Sequence, residues 1–377
     1  MRAKENSHNT ITSFNIRHEE RSEAVNAALI DFGSDHSFDE AVIIFARHYK
    51  FKISDSTIRR VTEHMGVVGE DFIKNKLAQY NKDEEEGGVI GSPLKTIFLG
   101  FDGCVIRTGM LEKIEAVDSF ETLKVTSSII PDLKKMISPL ESPVQEPGVT
   151  PSGRVRCRRV ETWKDVRLGY AKQGPEEESE KWFVGGLKSF PDLMKELFSL
   201  SLGLGMNEDT KPVATSDGGN GLYETLDETF CDLQFILDLY HFKEHLFEAA
   251  KDLGLGEKER NQWVSLKLTL AWKGQIESLI KVLEKEYKKT ENEKIRLLIG
   301  YVKRFSKCLH YESYRDQGFP IGSGEIESAH KYITQKRLKL GGACWRPEHI
   351  NPMLALRLIK TNDWWDEFLA YCHEIAA

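Results

Sequence analysis

The sequence has few of the features that mark secreted, membrane-spanning or zinc-binding proteins. Its six cysteines stand far apart and form no CxxC pair, which argues against a zinc cluster and a disulfide framework. No run approaches the roughly 18 apolar residues that a membrane-spanning helix needs. The first residues, MRAKENSHNT, lack the apolar stretch of a secretory signal. We therefore expect a protein of the reducing cytoplasm with no membrane partner.

An excess of positive charge is also lacking. The 377 residues include 52 Lys and Arg against 59 Asp and Glu, which gives a net charge of -7. Because the average charge does not favour nucleic acid, any basic surface must be local. With 40% apolar residues, the composition excludes collagen-like and wholly disordered chains, and the length is typical of two or three domains.

Polarity and apolar spacing divide the chain into segments, and together they predict an α/β fold. A small helical domain is followed by a mixed sheet that an all-helical insertion interrupts. The predicted segments are a flexible N-terminal arm (1–36), a helix-turn-helix domain (37–80), an acidic and glycine-rich linker (81–94), the first part of the sheet domain (95–240), the all-helical insertion (241–317) and the C-terminal part of the sheet domain (318–377).

Residues 37–66 have the pattern of a helix-turn-helix. Ser54 is predicted to be the N-cap of the second helix, and Gly66 its C-cap. The outward-facing residues of this helix have the polarity that a DNA-reading helix needs. They are Ser56, Thr57, Arg59 and Arg60. An ordinary helical hairpin packed on its neighbour has the same pattern, so both interpretations remain open.

Three carboxylates stand in local contexts that favour a metal site. Asp102 follows the apolar run LKTIFLGF and precedes a glycine, and Asp217 repeats this arrangement after PVATS. Glu327 follows Gly-Ser-Gly in the first turn of a predicted helix. Proteins of the α/β class place ligands at the carboxyl ends of strands. Carboxylates without His or Cys suit Mg²⁺ or Mn²⁺. The set is therefore typical of phosphoryl transfer with two metal ions. Taken alone, each residue is more often a turn or helix-dipole residue.

Longer motifs occur in a characteristic order. They are Asp102-Gly103, SDGG at 216–219, ILDLYHFKEHL at 236–246 and GFPIGSGEIESAHKYITQKRLKLGGACW at 318–345. This order resembles the ISKra-type transposases of bacterial insertion sequences, which are ribonuclease H-like DDE enzymes. The resemblance implies a ribonuclease H-like mixed sheet with an all-α insertion. It also implies that Asp102, Asp217 and Glu327 are catalytic and hold two Mg²⁺ or Mn²⁺ ions.

The resemblance leaves two assignments open. Glu325 is a weaker candidate for the third carboxylate. Asp238 and His241 match the Asp-x-x-His motif of related transposases, which implies a supporting role in shaping the site or contacting DNA. The alternative is that Asp238 is the second metal ligand and Asp217 is only a turn residue.

Basic residues beside these carboxylates predict a surface for DNA. No acidic residue occurs between Ser328 and Arg346. Clustered ammonium and guanidinium groups contact phosphates without reading sequence. The predicted DNA-binding residues outside the helix-turn-helix are Arg156, Arg158, Lys331, Lys336, Arg337, Lys339 and Arg346.

The resemblance implies a nucleoid-associated DNA transposase. Such an enzyme binds the terminal inverted repeats of its element and a double-stranded target DNA, acts as a homodimer or higher oligomer, and catalyses phosphodiester hydrolysis followed by strand transfer. Two alternatives are a metal-dependent nuclease without strand transfer and a catalytically silent, transposase-derived DNA-binding protein or repressor.

Overall fold

The computed structural model describes residues 22–86, 94–113, 157–219 and 221–376. Its N-terminal part has three helices, α1 (Glu23–Asp35), α2 (Phe38–Tyr49) and α3 (Asp55–Glu85). A serine precedes each helix, and its hydroxyl accepts a backbone N–H from the first turn, which satisfies one of the unpaired donors there. The three helices enclose a small core of their own, which is formed by Ala28, Leu29, Ala41, Phe45 and Ile58.

A five-stranded mixed sheet follows and confirms the α/β class. The strands are β1 (Thr96–Lys113), β2 (Cys157–Lys172), β3 (Lys181–Gly186), β4 (Lys211–Ser216) and β5 (Gln234–Leu237). Their order is β3-β2-β1-β4-β5. The β1–β2 and β2–β3 pairs are antiparallel, whereas β4 is parallel to both β1 and β5. Helices α4 (Phe190–Gly203) and α5 (Leu222–Thr229) connect β3 to β4 and β4 to β5.

Strand β1 is longer than the sequence predicts. It continues past Asp102 to Lys113, because β2 pairs with it from Phe98 to Lys113 and places Leu168 opposite Asp102. Its parallel pairing with β4 ends where Gly100 lies opposite Thr215. Asp102 therefore lies just beyond the last β1–β4 pair, so the sheet edge at this point is formed by the end of β4.

Residues 241–317 are helical, as their apolar spacing predicts. The helices are α6 (Leu239–Asp252), α7 (Glu257–Trp272), α8 (Ile276–Thr290), α9 (Glu293–Arg304) and α10 (Tyr311–Asp316). After them, α11 (Gly324–Ala329) continues as a π-helix (His330–Gln335) and as α12 (Lys336–Leu338). The chain ends in α13 (Ile350–Thr361) and α14 (Trp365–Ala376). No helix in the described ranges is long and apolar enough to cross a membrane.

Three expectations for the N-terminal region are wrong. Residues 23–35 do not belong to a flexible arm, because α1 packs as a helix with Leu29 and Ile30 buried. The second helix does not end at Gly66, and residues 81–85 are not a linker, because α3 runs without interruption to Glu85. Residues 1–21 and 87–93 of the predicted arm and linker lie outside the described residues.

The two glycines of α3 serve close packing, which is why they do not end the helix. A Cβ atom on Gly66 would lie 2.5 Å from the carbonyl oxygen of Pro352 in α13, and one on Gly69 would lie 3.1 Å from Cδ1 of Ile359. The main hydrophobic core accordingly includes residues from Ile30 in α1 to Phe368 in α14. The N-terminal helices and the sheet therefore share a continuous packed interior.

Candidate active site and nucleic-acid surface

Asp102 is the most buried of the three predicted catalytic carboxylates. It lies half-buried on β1, and its Oδ1 accepts the backbone N–H of Gly103 at 2.7 Å. Burial raises the pKa of Asp102, and the negative charges of Asp217 and Glu327 raise it further. The hydrogen bond from Gly103 and the interaction with His330 lower the pKa but do not outweigh these effects, so it lies above its usual value. Two other elements, the loop after β4 and α11, thus bring a carboxylate near enough to act electrostatically on Asp102.

Asp217 is exposed in the loop that follows β4. Its Oδ1 accepts the backbone N–H of Gly219 at 3.0 Å and the hydroxyl of Ser216 at 3.3 Å. Its backbone carbonyl accepts the hydroxyl of Tyr301 at 2.8 Å, a donor from the helical insertion. Two hydrogen bonds therefore fix the backbone of this loop, and one of them comes from the helical insertion.

Glu327 is exposed in the first turn of α11, and its Oε1 accepts the Ser323 hydroxyl at 2.8 Å. Glu325 has a different environment. It forms ion pairs with Lys172 at 2.8 Å and with Lys181 at 3.2 Å. Burial raises the pKa of Glu325, but the hydrogen bond from Lys172 and the charge of Lys181 outweigh it, so the pKa lies below its usual value. Glu325 is therefore already paired with two lysines, which favours Glu327 as the third carboxylate of the candidate site.

Asp238 is completely buried and bonds only to backbone donors among the described residues. It is the N-cap of α6, where its Oδ1 accepts the N–H of His241 at 2.8 Å. Its Oδ2 accepts the N–H of Ser323 in a short hydrogen bond. Asp238 thus ties the start of α6 to the turn before α11, where Ser323 holds Glu327. This arrangement favours a supporting role for Asp238 over metal ligation.

The ring of His241 does not contribute to this network. It is partly exposed, with Nδ1 3.4 Å from a carboxylate oxygen of Glu244 in the next turn of α6. In the described structure His241 contributes its backbone N–H to the bond with Asp238. Any residue other than proline would supply this donor.

His330 is a site residue to which the sequence analysis gives no role. It is buried, its Nε2–H donates to the backbone carbonyl of Asp102 at 3.1 Å, and its Nδ1 lies 3.2 Å from the hydroxyl of Thr334. Burial lowers the pKa of His330, which favours the neutral ring. The available signal was its spacing, because a residue three positions after Glu327 lies on the same side of a helix.

The three carboxylates do not form a closed group of metal ligands in the described structure. In the described ranges, Asp102, Asp217 and Glu327 accept hydrogen bonds from neutral donors. Among the same residues, no group of three His, Cys, Asp or Glu side chains is close enough together to enclose a metal ion. Neighbouring carboxylates without a counter-charge repel one another, which a divalent cation would relieve.

The predicted DNA-reading residues lie at the start of α3. Ser56, Arg59 and Arg60 are exposed and Thr57 is half-buried. They line a groove of about 690 Å³ whose other side includes His349 and Pro352. The structure therefore presents these residues on an open surface, next to the segment that leads into α13.

The second basic group is exposed with one exception. Lys331, Lys336, Lys339 and Arg346 are exposed, and Arg158 is exposed beside Glu112 at 3.5 Å. Arg156 lies outside the described residues.

Arg337 is the exception, and its prediction as a DNA contact is wrong. It is only 3% exposed and lies between the rings of Phe38 and Trp345, while its Nε donates to the carbonyl of Gly33 at 3.0 Å. Arg337 therefore faces the interior, where it joins the segment that follows α11 to α1 and α2.

Comparison of the chain with protein-family models and with curated proteins gives no match.

Proposed function

We propose that the protein is a DNA transposase that uses Asp102, Asp217 and Glu327 as an Asp-Asp-Glu triad. The observation that supports this proposal is that two carboxylates from other elements, Asp217 in the loop after β4 and Glu327 on α11, act electrostatically on Asp102 of β1. The strand order and the helical block between the second and third carboxylates are compatible with a ribonuclease H-like fold.

In this proposal Asp102, Asp217 and Glu327 would hold two Mg²⁺ or Mn²⁺ ions, since carboxylate oxygens are the ligands that these hard cations prefer. When bound, such ions activate an attacking oxygen and stabilise the leaving oxygen of a phosphodiester. The chain's own groups fix the ligands. Asp238 holds Ser323 by its N–H and Ser323 holds Glu327, while neutral His330 holds the backbone at Asp102. Water is the first nucleophile, and a freed DNA 3′-hydroxyl is the second.

DNA binding in this proposal is divided between two exposed surfaces. The start of α3 would contact the terminal repeat, and the exposed Lys and Arg residues after Glu327 would contact phosphates near the cut. Pairing of two element ends implies a homodimer or higher oligomer acting at the nucleoid. Because these Lys and Arg side chains would neutralise phosphates, binding should weaken with salt in proportion to the number of phosphates contacted.

The test is to incubate the full chain with the genomic DNA that flanks its gene, with Mg²⁺ or with a chelator, and to map the cuts. We expect Mg²⁺-dependent cuts at fixed positions. Asp102→Asn, Asp217→Asn and Glu327→Gln should abolish cutting and keep DNA binding. Glu325→Gln is the matched control, because it makes the same change two residues from Glu327 and should still cut.

Several outcomes would contradict the proposal in distinct ways. Full cutting by Asp217→Asn together with no cutting by Asp238→Asn would make Asp238 the second ligand. Hydrolysed products alone from pre-cut ends would indicate a nuclease without strand transfer. DNA binding with no Mg²⁺-dependent cutting would indicate a silent DNA-binding protein or repressor.

A further inference from the structure

The helical insertion contacts the Asp217 loop at two points. Tyr301 of α9 donates its hydroxyl to the backbone carbonyl of Asp217 at 2.8 Å. Phe305, just after α9, occupies the space beside Gly218, where a Cβ atom would lie 2.7 Å from Cζ of the ring. Gly218 also has a φ of 75°, which strongly favours glycine. Residues of the insertion thus contact the backbone of the loop that carries the Asp217 carboxylate.

Tyr301 is itself held firmly. Its ring centroid lies 4.8 Å from that of His245 in α6 and 5.0 Å from that of Phe305. Beside it, Arg304 pairs with Glu224 of α5 at 2.7 Å, which fixes α9 to the helix that follows the loop.

We propose that Tyr301 is a positioning residue for Asp217, and that the all-helical insertion controls divalent-metal affinity through it. This inference rests on the proposed function, because it concerns the same carboxylate. Groups that orient a metal ligand from behind typically change metal affinity or activity by about 10- to 100-fold when removed. Tyr301 neither reaches the carboxylate oxygens in the described contacts nor needs to touch DNA.

The experiment measures Mn²⁺ binding to the full chain by the electron paramagnetic resonance signal of free Mn²⁺. Tyr301→Phe removes only the hydroxyl and should raise the Mn²⁺ dissociation constant about tenfold or more. Tyr311→Phe is the matched control, since Tyr311 is buried in the same helical block and its hydroxyl has no hydrogen-bond partner in the described structure. Thermal unfolding of both variants shows whether weaker Mn²⁺ binding comes from a displaced Asp217 or from a destabilised fold.

A second variant keeps the inference testable if Tyr301→Phe is unstable. Gly218→Ala strains the loop without altering Tyr301 and should weaken Mn²⁺ binding likewise. Raising Mg²⁺ should restore DNA cutting by Tyr301→Phe, but not by Asp217→Asn. Mn²⁺ binding by Tyr301→Phe equal to that of the unmodified chain would overturn the inference. Failure of the unmodified chain to bind Mn²⁺ any better than Asp102→Asn would instead overturn the proposed metal site.

Discussion

Substituting alanine for glycine in α3 tests whether the helix is locked onto α13. At Gly66 a Cβ atom would lie 2.5 Å from the oxygen and 2.7 Å from the carbon of the Pro352 carbonyl, which are backbone atoms that cannot rotate away. Such overpacking costs about 1–3 kcal/mol, and a contact this short belongs at the upper end. Alanine regains about 1 kcal/mol of helix propensity. We therefore expect Gly66→Ala to destabilise the fold by about 1–2 kcal/mol.

The same substitution at two other helical glycines provides internal controls. A Cβ on Gly69 meets only the tip of the Ile359 side chain, which can shift, and one on Gly300 of α9 meets nothing within 4 Å. Gly69→Ala should be nearly neutral, and Gly300→Ala should stabilise by about 0.5–1 kcal/mol. Urea unfolding of the full chain, followed by circular dichroism, gives the ranking. If Gly66→Ala is as stable as Gly300→Ala, α3 does not pack on α13 as described.

Three further outcomes follow from buried charges. Glu325→Gln should lower stability by about 1–3 kcal/mol in urea unfolding, since it leaves the largely buried Lys172 without its anion. Arg337→Met should also destabilise the fold but leave the salt slope of DNA binding unchanged, whereas Lys336→Met should reduce that slope, as measured by fluorescence anisotropy. Burial raises the pKa of Asp35, but the charges of Lys360 and Arg357 outweigh it and hold the pKa below its usual value. The ionised Asp35 carboxylate therefore stabilises the fold fully above its unfolded pKa of about 3.9, and this contribution is lost as the pH falls through the lower folded pKa. Asp35→Asn should consequently reduce the loss of stability at acid pH, as measured by urea unfolding at several pH values.

The elements that the sequence predicts well are those whose signals are local. Strand β4 is an apolar run that ends at a turn, and the helices of 241–317 have charged outer faces and apolar inner ones. Their boundaries follow from residues near in sequence. The position of Asp217 at the sheet edge is of this kind, because it depends on where β4 stops.

The features that the sequence misses depend on distant partners. Gly66 has the local pattern of a helix C-cap, yet its role is set by Pro352, far along the chain. Arg337 stands among exposed lysines, and the π-helix before it adds a wide turn that alters which side of the segment faces inward. A periodicity of 3.6 residues projected from Glu327 therefore cannot place Arg337. The roles of Tyr301 and His330 likewise require knowing which backbone carbonyl each one meets.

Two buried arginines link helix α1 to the segment that carries Glu327. Arg357 of α13 donates to the carbonyl of Ile333 in the π-helix at 3.0 Å and pairs with Asp35 at the end of α1. Arg337 adds its bond from the end of α12 to the carbonyl of Gly33. The segment that begins with Glu327 is therefore fastened to α1 at two points, while α3 is packed on α13. In the proposed enzyme, DNA held at the start of α3 would lie at a set distance from the triad, because α3 packs directly on α13 and Arg337 connects α12 to α1.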